Sequence, residues 1–273
     1  MVSIREALVS AALPGESGRL EAELLLCHCI GESRSFLYTW PERAVEPGHL
    51  NAFQDLLDAR RRGEPLAYLT GRREFWSLEL EVDSQTLIPR PETETLVEWA
   101  LSLPLGSSAV AADWGTGSGA IALALASERP GWTVIASDFS GGALTVAARN
   151  RGRLGLGNVQ LVQSNWGDAL SGGFDLIVSN PPYVAQGDPH LEQGDLRFEP
   201  DSALVAGTDG LSDIRHIVVA ASKGLVPGGW LLLEHGLDQG AAVRALLQDA
   251  GFVGVATRAD LGGRERISGG QRP

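Results

Sequence analysis

Asp113-Trp114-Gly115-Thr116-Gly117-Ser118-Gly119 is the stretch whose reading decides the fold. Before it, Ala109–Asp113 is a short apolar run that reads as a buried strand, and after it Ala120–Glu128 reads as a helix rich in alanine and leucine. Three glycines between strand and helix let the backbone turn sharply and approach a ligand closely. About 20 residues further on, at the end of a second strand over Thr133–Ser137, stands Asp138. A carboxylate there can accept hydrogen bonds from both hydroxyls of a nucleotide ribose.

Working outward, strands and helices alternate. Further strands are expected over Val159–Val162, Phe174–Ser179 and Trp230–Leu233, with helices over Gly141–Leu154, Leu211–Leu225 and Gln239–Ala250. This is the pattern of a doubly wound parallel sheet. Phe252–Thr257 and Arg264–Ser268 have no helix between them and should form an antiparallel pair at one end, giving a seven-stranded Rossmann-like α/β sheet. The fourth strand runs into Asn180-Pro181-Pro182-Tyr183. Neither proline can donate a backbone N–H, and each holds the residue before it extended. Asn180 and Pro181 should therefore present unconsumed acceptors at the carboxyl end of a strand, where open α/β sheets bind ligands. Tyr183 adds an aromatic face. Ala185 to Asp209 is long for a connection that usually takes about 2–6 residues, so it reads as a lid or partner surface.

The first 72 residues have a different character. Ser3 and Glu6 have capping-box spacing. Pro14-Gly15 should stop that first helix. Leu20, Leu24, Leu25 and Ile30 suit a second helix ending at Gly31. A third should run from about Glu46 to Arg60-Arg61-Arg62, where the arginines read as a solvated helix end, with a contact patch for an acidic partner as the second reading. The organisation expected is a helical domain over 1–72, a β-hairpin linker over 73–90 and a catalytic domain over 91–273. Leu78, Leu80 and Val82 alternate with polar residues in the linker. Pro91 suits a first helical position, with Glu92 and Glu94 in the first turn.

Composition sets the outer bounds. The chain has 273 residues, 44% of them hydrophobic and 21% charged, with a net charge of −12. That charge argues against non-specific nucleic-acid binding, which needs a basic footprint. No run approaches the about 20 apolar residues of a membrane span, and Met1–Glu6 lacks a signal-peptide pattern. Cys27 and Cys29 suit neither a disulfide framework nor a zinc site and read as small buried thiols in the cytoplasm. No metal is expected. None of the five histidines lies in a motif, and His235, at a strand end, reads as structural.

A nicotinamide dinucleotide prefers G-x-G-x-x-G, and here the third glycine comes one residue early. The turn Asp113 to Gly119, with the antiparallel terminal pair, resembles the class I S-adenosylmethionine-dependent methyltransferases. With Ser179 to Val184 the chain resembles, more narrowly, the bacterial protein-(glutamine-N5) methyltransferases that modify peptide chain release factors. Leu87-Ile88-Pro89-Arg90-Pro91-Glu92-Thr93-Glu94, Gln193-Gly194-Asp195-Leu196-Arg197-Phe198-Glu199-Pro200 and Leu231-Leu232-Leu233-Glu234-His235-Gly236 add to the likeness.

The resemblance implies that Gly115, Thr116, Gly117, Ser118 and Gly119 line S-adenosylmethionine and that Asp138 holds its ribose. It implies that Trp166 packs near the adenine and that Asn180 touches both cofactor and substrate. The products would be S-adenosylhomocysteine and a methylated glutamine in a Gly-Gly-Gln turn of the release factor. Asn180 and the Pro181 carbonyl would accept the two amide hydrogens, with Pro182 stiffening the corner and Tyr183 facing the planar amide. Trp114 departs from the usual Leu, and Asn165 and Gly167 from the usual Asp and Phe around Trp166. The expected enzyme is a cytoplasmic monomer with a protein substrate. The alternative reading is a methyltransferase for an exocyclic amine of adenine or guanine, which the same tetrapeptide suits; a non-catalytic cofactor-binding assembly factor is a second. The chain itself carries Gly269-Gly270-Gln271, expected to be a coincidence in a frayed tail.

Overall fold

The computed structural model describes residues 2–273. It divides into two compact units, one running to Arg72 and taking in Gln193–Phe198, the other made of Arg73–Glu192 and Glu199–Pro273. The first unit is helical: α1 (Ile4–Ser10), α2 (Gly18–Ile30), α3 (Arg34–Thr39), α4 (Pro47–Arg61) and α5 (Leu66–Thr70). Ser3 and Glu6 form a reciprocal capping box on α1, and Gly31 ends α2 in the left-handed region at φ 70°. Both are local devices that a sequence shows directly. α3 and α5 have six and five residues, too few for a helical period to register. Leu25, Leu26, Phe53 and Leu57 fill the core of this unit.

Arg60 corrects the reading of a solvated helix end. Its Nε donates to Glu21 at 2.7 Å and its Nη1 to the Glu64 carbonyl at 3.0 Å, with Asp195 at 3.5 Å. Arg61 and Arg62 pair nearer solvent, with Asp58 and Glu64. The arginines follow one another in sequence, but only one faces carboxylates brought from distant segments.

A hairpin follows, β1 (Arg72–Phe75), whose first residue closes the first unit, and β2 (Leu78–Glu81), with Trp76 and Ser77 in its turn at φ 52° and 57°. A single 3₁₀ turn, Pro91–Thr93, leads into α6 (Glu94–Ser102). There follow β3 (Val110–Trp114), α7 (Ala120–Glu128), β4 (Thr133–Asp138), α8 (Gly141–Leu154), β5 (Val159–Gln163) and β6 (Phe174–Ser179). The chain continues through α9 (Ser212–Gly224), β7 (Leu225–Glu234), α10 (Gly240–Asp249), β8 (Val253–Ala259) and β9 (Glu265–Gln271). The sheet has seven strands in the order β5-β4-β3-β6-β7-β9-β8. β3 to β7 pair in parallel, while β9 runs antiparallel to both β7 and β8. The doubly wound architecture expected from the sequence is the one observed.

The period of two along each strand divides the core. Ala111, Leu176, Val178 and Leu232 point to one face, where α7 supplies Ile121, Leu123 and Leu125 and α6 supplies Leu96 and Trp99. Ala112, Ile177, Leu231 and Leu233 point to the other, against Ile214, Ile217 and Val218 of α9 and Val243 and Leu247 of α10. Each such Val, Leu or Ile side chain contributes about 1.5–3 kcal/mol on burial. With both faces covered, the central strands read as continuous apolar runs. β7 begins five residues earlier than expected, because Pro227-Gly228-Gly229 makes an irregularity inside the strand rather than a turn before it; its pairing with β6 shifts register between Phe174 and Leu176.

The terminal Gly269-Gly270-Gln271 is not frayed. It lies in β9 between β7 and β8, with Gly269 opposite Leu232 and Ala256, and Gln271 opposite Trp230 and Val253. The Gln271 side chain donates to the Gly228 carbonyl at 2.8 Å. A Cβ on Gly269 would sit 2.4 Å from Leu232 Cδ2 and 2.8 Å from the Leu231 carbonyl oxygen. Gly269→Ala is therefore expected to cost about 1–3 kcal/mol through overpacking. Urea unfolding measures it, and a midpoint equal to that of the unaltered chain would contradict the packing of this strand.

Candidate active site at the carboxyl ends of the strands

The glycine turn is closed by its own aspartate. Asp113 is fully buried at the end of β3, and one carboxylate oxygen accepts from the Thr116 hydroxyl at 2.6 Å and from the Ala122 backbone at 3.1 Å. Burial pushes its pKa up to about 7. The Gly115 and Thr116 amides donate to the Ser137 carbonyl at 2.8 and 2.9 Å, joining the turn to the end of β4. Gly115 sits at φ 77°, and a Cβ there would come within 2.9 Å of the Trp166 ring. Glycine at 115 thus answers both a left-handed backbone and a close approach. Trp166 is itself held at φ 50°, with its carbonyl accepting from the Ser137 hydroxyl at 3.0 Å. At Gly117 an added Cβ would meet nothing within 4 Å, so this part of the turn is open.

Asp138 ends β4 facing the same space. Its two oxygens accept from the Gly117 and Ser140 amides at 2.8 Å each. Burial raises its pKa, with the backbone donors opposing. Two of the roughly four acceptor positions of a carboxylate are used, which leaves the others for a ligand.

At the end of β6, the Ser179 hydroxyl donates to the Trp114 carbonyl at 2.6 Å and ties this strand to β3. Asn180 follows. Its Nδ2 donates to the Thr93 hydroxyl oxygen at 3.2 Å, leaving Oδ1 as an acceptor. One cavity is lined jointly by Gly115, Thr116, Gly117, Ser118, Asp138, Trp166, Asn180 and Pro182. Arg90 and Thr93 join its wall. So does Phe139, which is 76% exposed. Gly119, at φ 89°, caps α7 instead.

Pro181 and Tyr183 are not among the residues lining the cavity. Tyr183 turns its hydroxyl to Glu234 Oε1 at 3.4 Å, and its carbonyl accepts from Gln239 at 3.0 Å. Burial pushes the phenol pKa up. These contacts engage the hydroxyl and the backbone carbonyl of Tyr183.

Three positions had no reading of their own as site residues in the sequence. Thr93 is buried beside Asn180. Glu234 is buried at the end of β7, where the fold raises its pKa to about 7. Glu199 accepts from the Ile88 amide at 3.2 Å and pairs with Arg90, holding Leu87–Arg90 to the segment that begins at Glu199. Glu234 carried a signal, a charge closing an apolar strand run. Thr93 carried none. His235 is buried with its ring nitrogens on the Gly236 carbonyl and the Ser268 hydroxyl, away from the lining residues, in line with a structural part.

The sheet order, the glycine turn and the acidic residue ending β4 define an α/β methyltransferase. Family matches agree: residues 4–71 match the PrmC N-terminal domain and residues 93–195 the methyltransferase small domain. Release factor glutamine methyltransferase of Pseudomonas aeruginosa is 56% identical over 273 residues, covering 99% of each chain. That of Escherichia coli K12 is 49% identical, covering 98% of this chain and 97% of the relative. Among solved structures, the hMettl16 catalytic domain in complex with MAT2A 3'UTR hairpin 6 aligns with TM-score 0.59 at 19% identity, over 80% of this chain and 82% of that one. The T. thermophilus 16S rRNA N2 G1207 methyltransferase in complex with AdoMet and guanosine aligns with TM-score 0.53 at 20% identity, over 74% and 50%. The chain belongs to the release factor glutamine methyltransferase family.

The buried Asp113 carries a pH signature. Burial holds its folded pKa at about 7, well above the ordinary aspartate value of about 3.9, so its stabilising contribution is full below pH 4 and is lost as pH rises through about 7. Asp113→Asn, which removes the charge and keeps the shape, should gain in Tm relative to the unaltered chain between pH 5 and pH 8. A Tm difference independent of pH would show that Asp113 does not titrate in this range.

Proposed function

We propose that the protein transfers a methyl group from S-adenosylmethionine to the side-chain amide nitrogen (N5) of the glutamine in the Gly-Gly-Gln turn of peptide chain release factors. The observation that carries this reading is the single cavity shared by the glycine turn, Asp138 and Asn180. The names of the curated relatives support the substrate, and their identity extends over nearly the whole chain.

The donor set suits a nucleoside cofactor. The open backbone at Gly117 admits close approach, and the spare acceptor positions of Asp138 take two adjacent hydroxyls. Trp166 and Phe139 offer flat apolar surface for a base. When bound, S-adenosylmethionine supplies an electrophilic methyl group and leaves as S-adenosylhomocysteine.

Asn180 and Pro181 act on the other reactant. A carboxamide nitrogen is a poor nucleophile because its lone pair is delocalised into the carbonyl, yet it carries two N–H groups in one plane. Asn180 Oδ1 accepts one, and we assign the other to the backbone carbonyl of Pro181, which sits between the lining residues Asn180 and Pro182 without lining the cavity itself. Holding both fixes the nitrogen's orientation, an effect worth several kcal/mol. It also stabilises the positive charge that grows on nitrogen as the new bond forms. The methylated nitrogen is then acidic enough to lose its proton without a dedicated base. The helical unit serves as the recognition module for the protein substrate. Cys27 and Cys29 are unpaired thiols, as suits a reducing cytoplasm.

Incubation with methyl-labelled S-adenosylmethionine and a purified release factor should label the factor at glutamine, and nucleic acid offered in its place should gain no label. Label on the nucleic acid and none on the release factor would overturn the assignment. Asn180→Ala should lower kcat by about 10²-fold or more. Asp138→Ala should weaken cofactor binding by about 1–3 kcal/mol, as read by calorimetry.

A further inference from the structure

The cavity wall carries charge at two places. Of the residues that line it, Asp138 is the one acid and Arg90 the one cation. Asp138, the glycine turn and Trp166 suffice for a ribose and a base. Arg90 has no part in that arrangement. The methyl acceptor gives it none either, because a glutamine carboxamide and the two glycines before it are neutral. S-adenosylmethionine bears one anionic group, the carboxylate of its amino-acid tail.

Arg90 is tied to the Asn180 end of the cavity. Its carbonyl accepts from the Thr93 amide at 3.1 Å, and the Thr93 hydroxyl accepts from Asn180 Nδ2 at 3.2 Å. The neighbouring Pro89 carbonyl accepts from Arg73 at 3.2 Å, which pins the same segment. The guanidinium is held by a buried acid. Its Nη2 donates to Glu199, whose side chain is fully buried and also accepts from the Ile88 amide at 3.2 Å. The Arg90 side chain is 29% exposed, and its Nε and Nη1 have no hydrogen-bond partner among the described residues. A guanidinium is a rigid fork of five N–H donors, so fixing one nitrogen orients the rest. An unmatched cation in this cavity would repel a sulfonium. An anionic oxygen on the spare donors removes that repulsion and makes the stronger, charge-assisted kind of hydrogen bond.

We propose that Arg90 binds the carboxylate of the cofactor's amino-acid tail, with Glu199 as the positioning residue that holds the guanidinium for it. The proposal rests on the methyl-transfer reading above and names the contact that selects the tail. Asp138 and Arg90 then grip opposite ends of one molecule, and this fixes where its sulfonium lies. The anchor joins segments distant in the chain, since Arg90 precedes the 3₁₀ turn before α6 and Glu199 lies 109 residues further on.

Calorimetry on the full chain, with no release factor present, compares S-adenosylmethionine with its decarboxylated form, which keeps the base, ribose, sulfonium and amine. The unaltered chain should bind the first about 10- to 100-fold more tightly, the worth of a hydrogen bond to a charged group. Arg90→Met alone would leave the Glu199 carboxylate buried without its partner. The variant of choice is therefore Arg90→Met with Glu199→Gln, which removes both charges. In it the preference should shrink to about threefold or less, while affinity for the decarboxylated form stays within about threefold of the unaltered chain. Glu199→Gln alone keeps the guanidinium and an acceptor for it, and should retain a preference of about tenfold. Circular dichroism checks the fold; Arg90→Gln, which keeps a donor for Glu199 without the charge, carries the same expectation where the double variant does not fold. The anchor is overturned by equal affinities for the two compounds in the unaltered chain or by an undiminished preference in a folded variant lacking the Arg90 charge. It is also overturned by a preference lost as fully in Glu199→Gln as in the double variant. An unaltered chain that binds neither compound overturns the functional reading instead.

Discussion

The site depends on one hydrogen bond between two strand ends, from the Ser179 hydroxyl to the Trp114 carbonyl at 2.6 Å. It marks the place where β3 and β6 lie side by side although α7, β4, α8 and β5 come between them in sequence. From β3 the chain first builds the sheet toward β5, then crosses back and builds the other half from β6. Both connections leave from carboxyl ends, so the loops after β3 and β6 diverge and open a crevice between them. The glycine turn is the loop on one side, and Asn180 stands on the other.

Each wall of that crevice is stiffened in its own way. On the cofactor side the rigidity comes from the backbone. Two amides of the turn share the Ser137 carbonyl, and Asp113 ties the turn to the first turn of α7. On the substrate side the prolines set the chain direction, and side chains from elsewhere set polarity. A corner that must present acceptors to a neutral amide gains little from charge at the surface of contact. Asn180 Nδ2 donates to the Thr93 hydroxyl behind the corner, while the buried Glu234 takes the Tyr183 hydroxyl.

Two buried acids, Asp113 and Glu234, have pKa values raised to about 7 in this region. Both are desolvated, and both accept from hydroxyls or amides that oppose the shift without cancelling it. Such groups are costly to bury, and clusters of them mark functional ground. They stand at the ends of β3 and β7, on opposite sides of β6, and so flank the tetrapeptide. Glu199 adds a third buried carboxylate, holding Leu87–Arg90 in place through the Ile88 amide and Arg90.

What the sequence determined by itself is whatever a short range of residues can dictate. The apolar runs of the central strands, the glycine turn, the spacing to Asp138, the capping box at Ser3 and the stiff Asn180-Pro181-Pro182 corner all follow from local sterics and period. These sufficed for the doubly wound sheet and for the glycine turn, Asp138 and Asn180 meeting in the cavity, but not for Thr93 on its wall. Tertiary structure decided the rest, because those features depend on partners distant in sequence. Arg60 is paired rather than solvated because Glu21 and Asp195 are folded against it. Gln271 is ordered because β7 and β8 need a strand between them. Pro227-Gly228-Gly229 stays in the sheet because β6 pairs across it. Tyr183 turns its hydroxyl to Glu234, which is 51 residues further along the chain, and Thr93 meets Asn180 from 87 residues away. A side chain's hydrogen-bond sense is fixed by what surrounds it in space, and no local pattern encodes that.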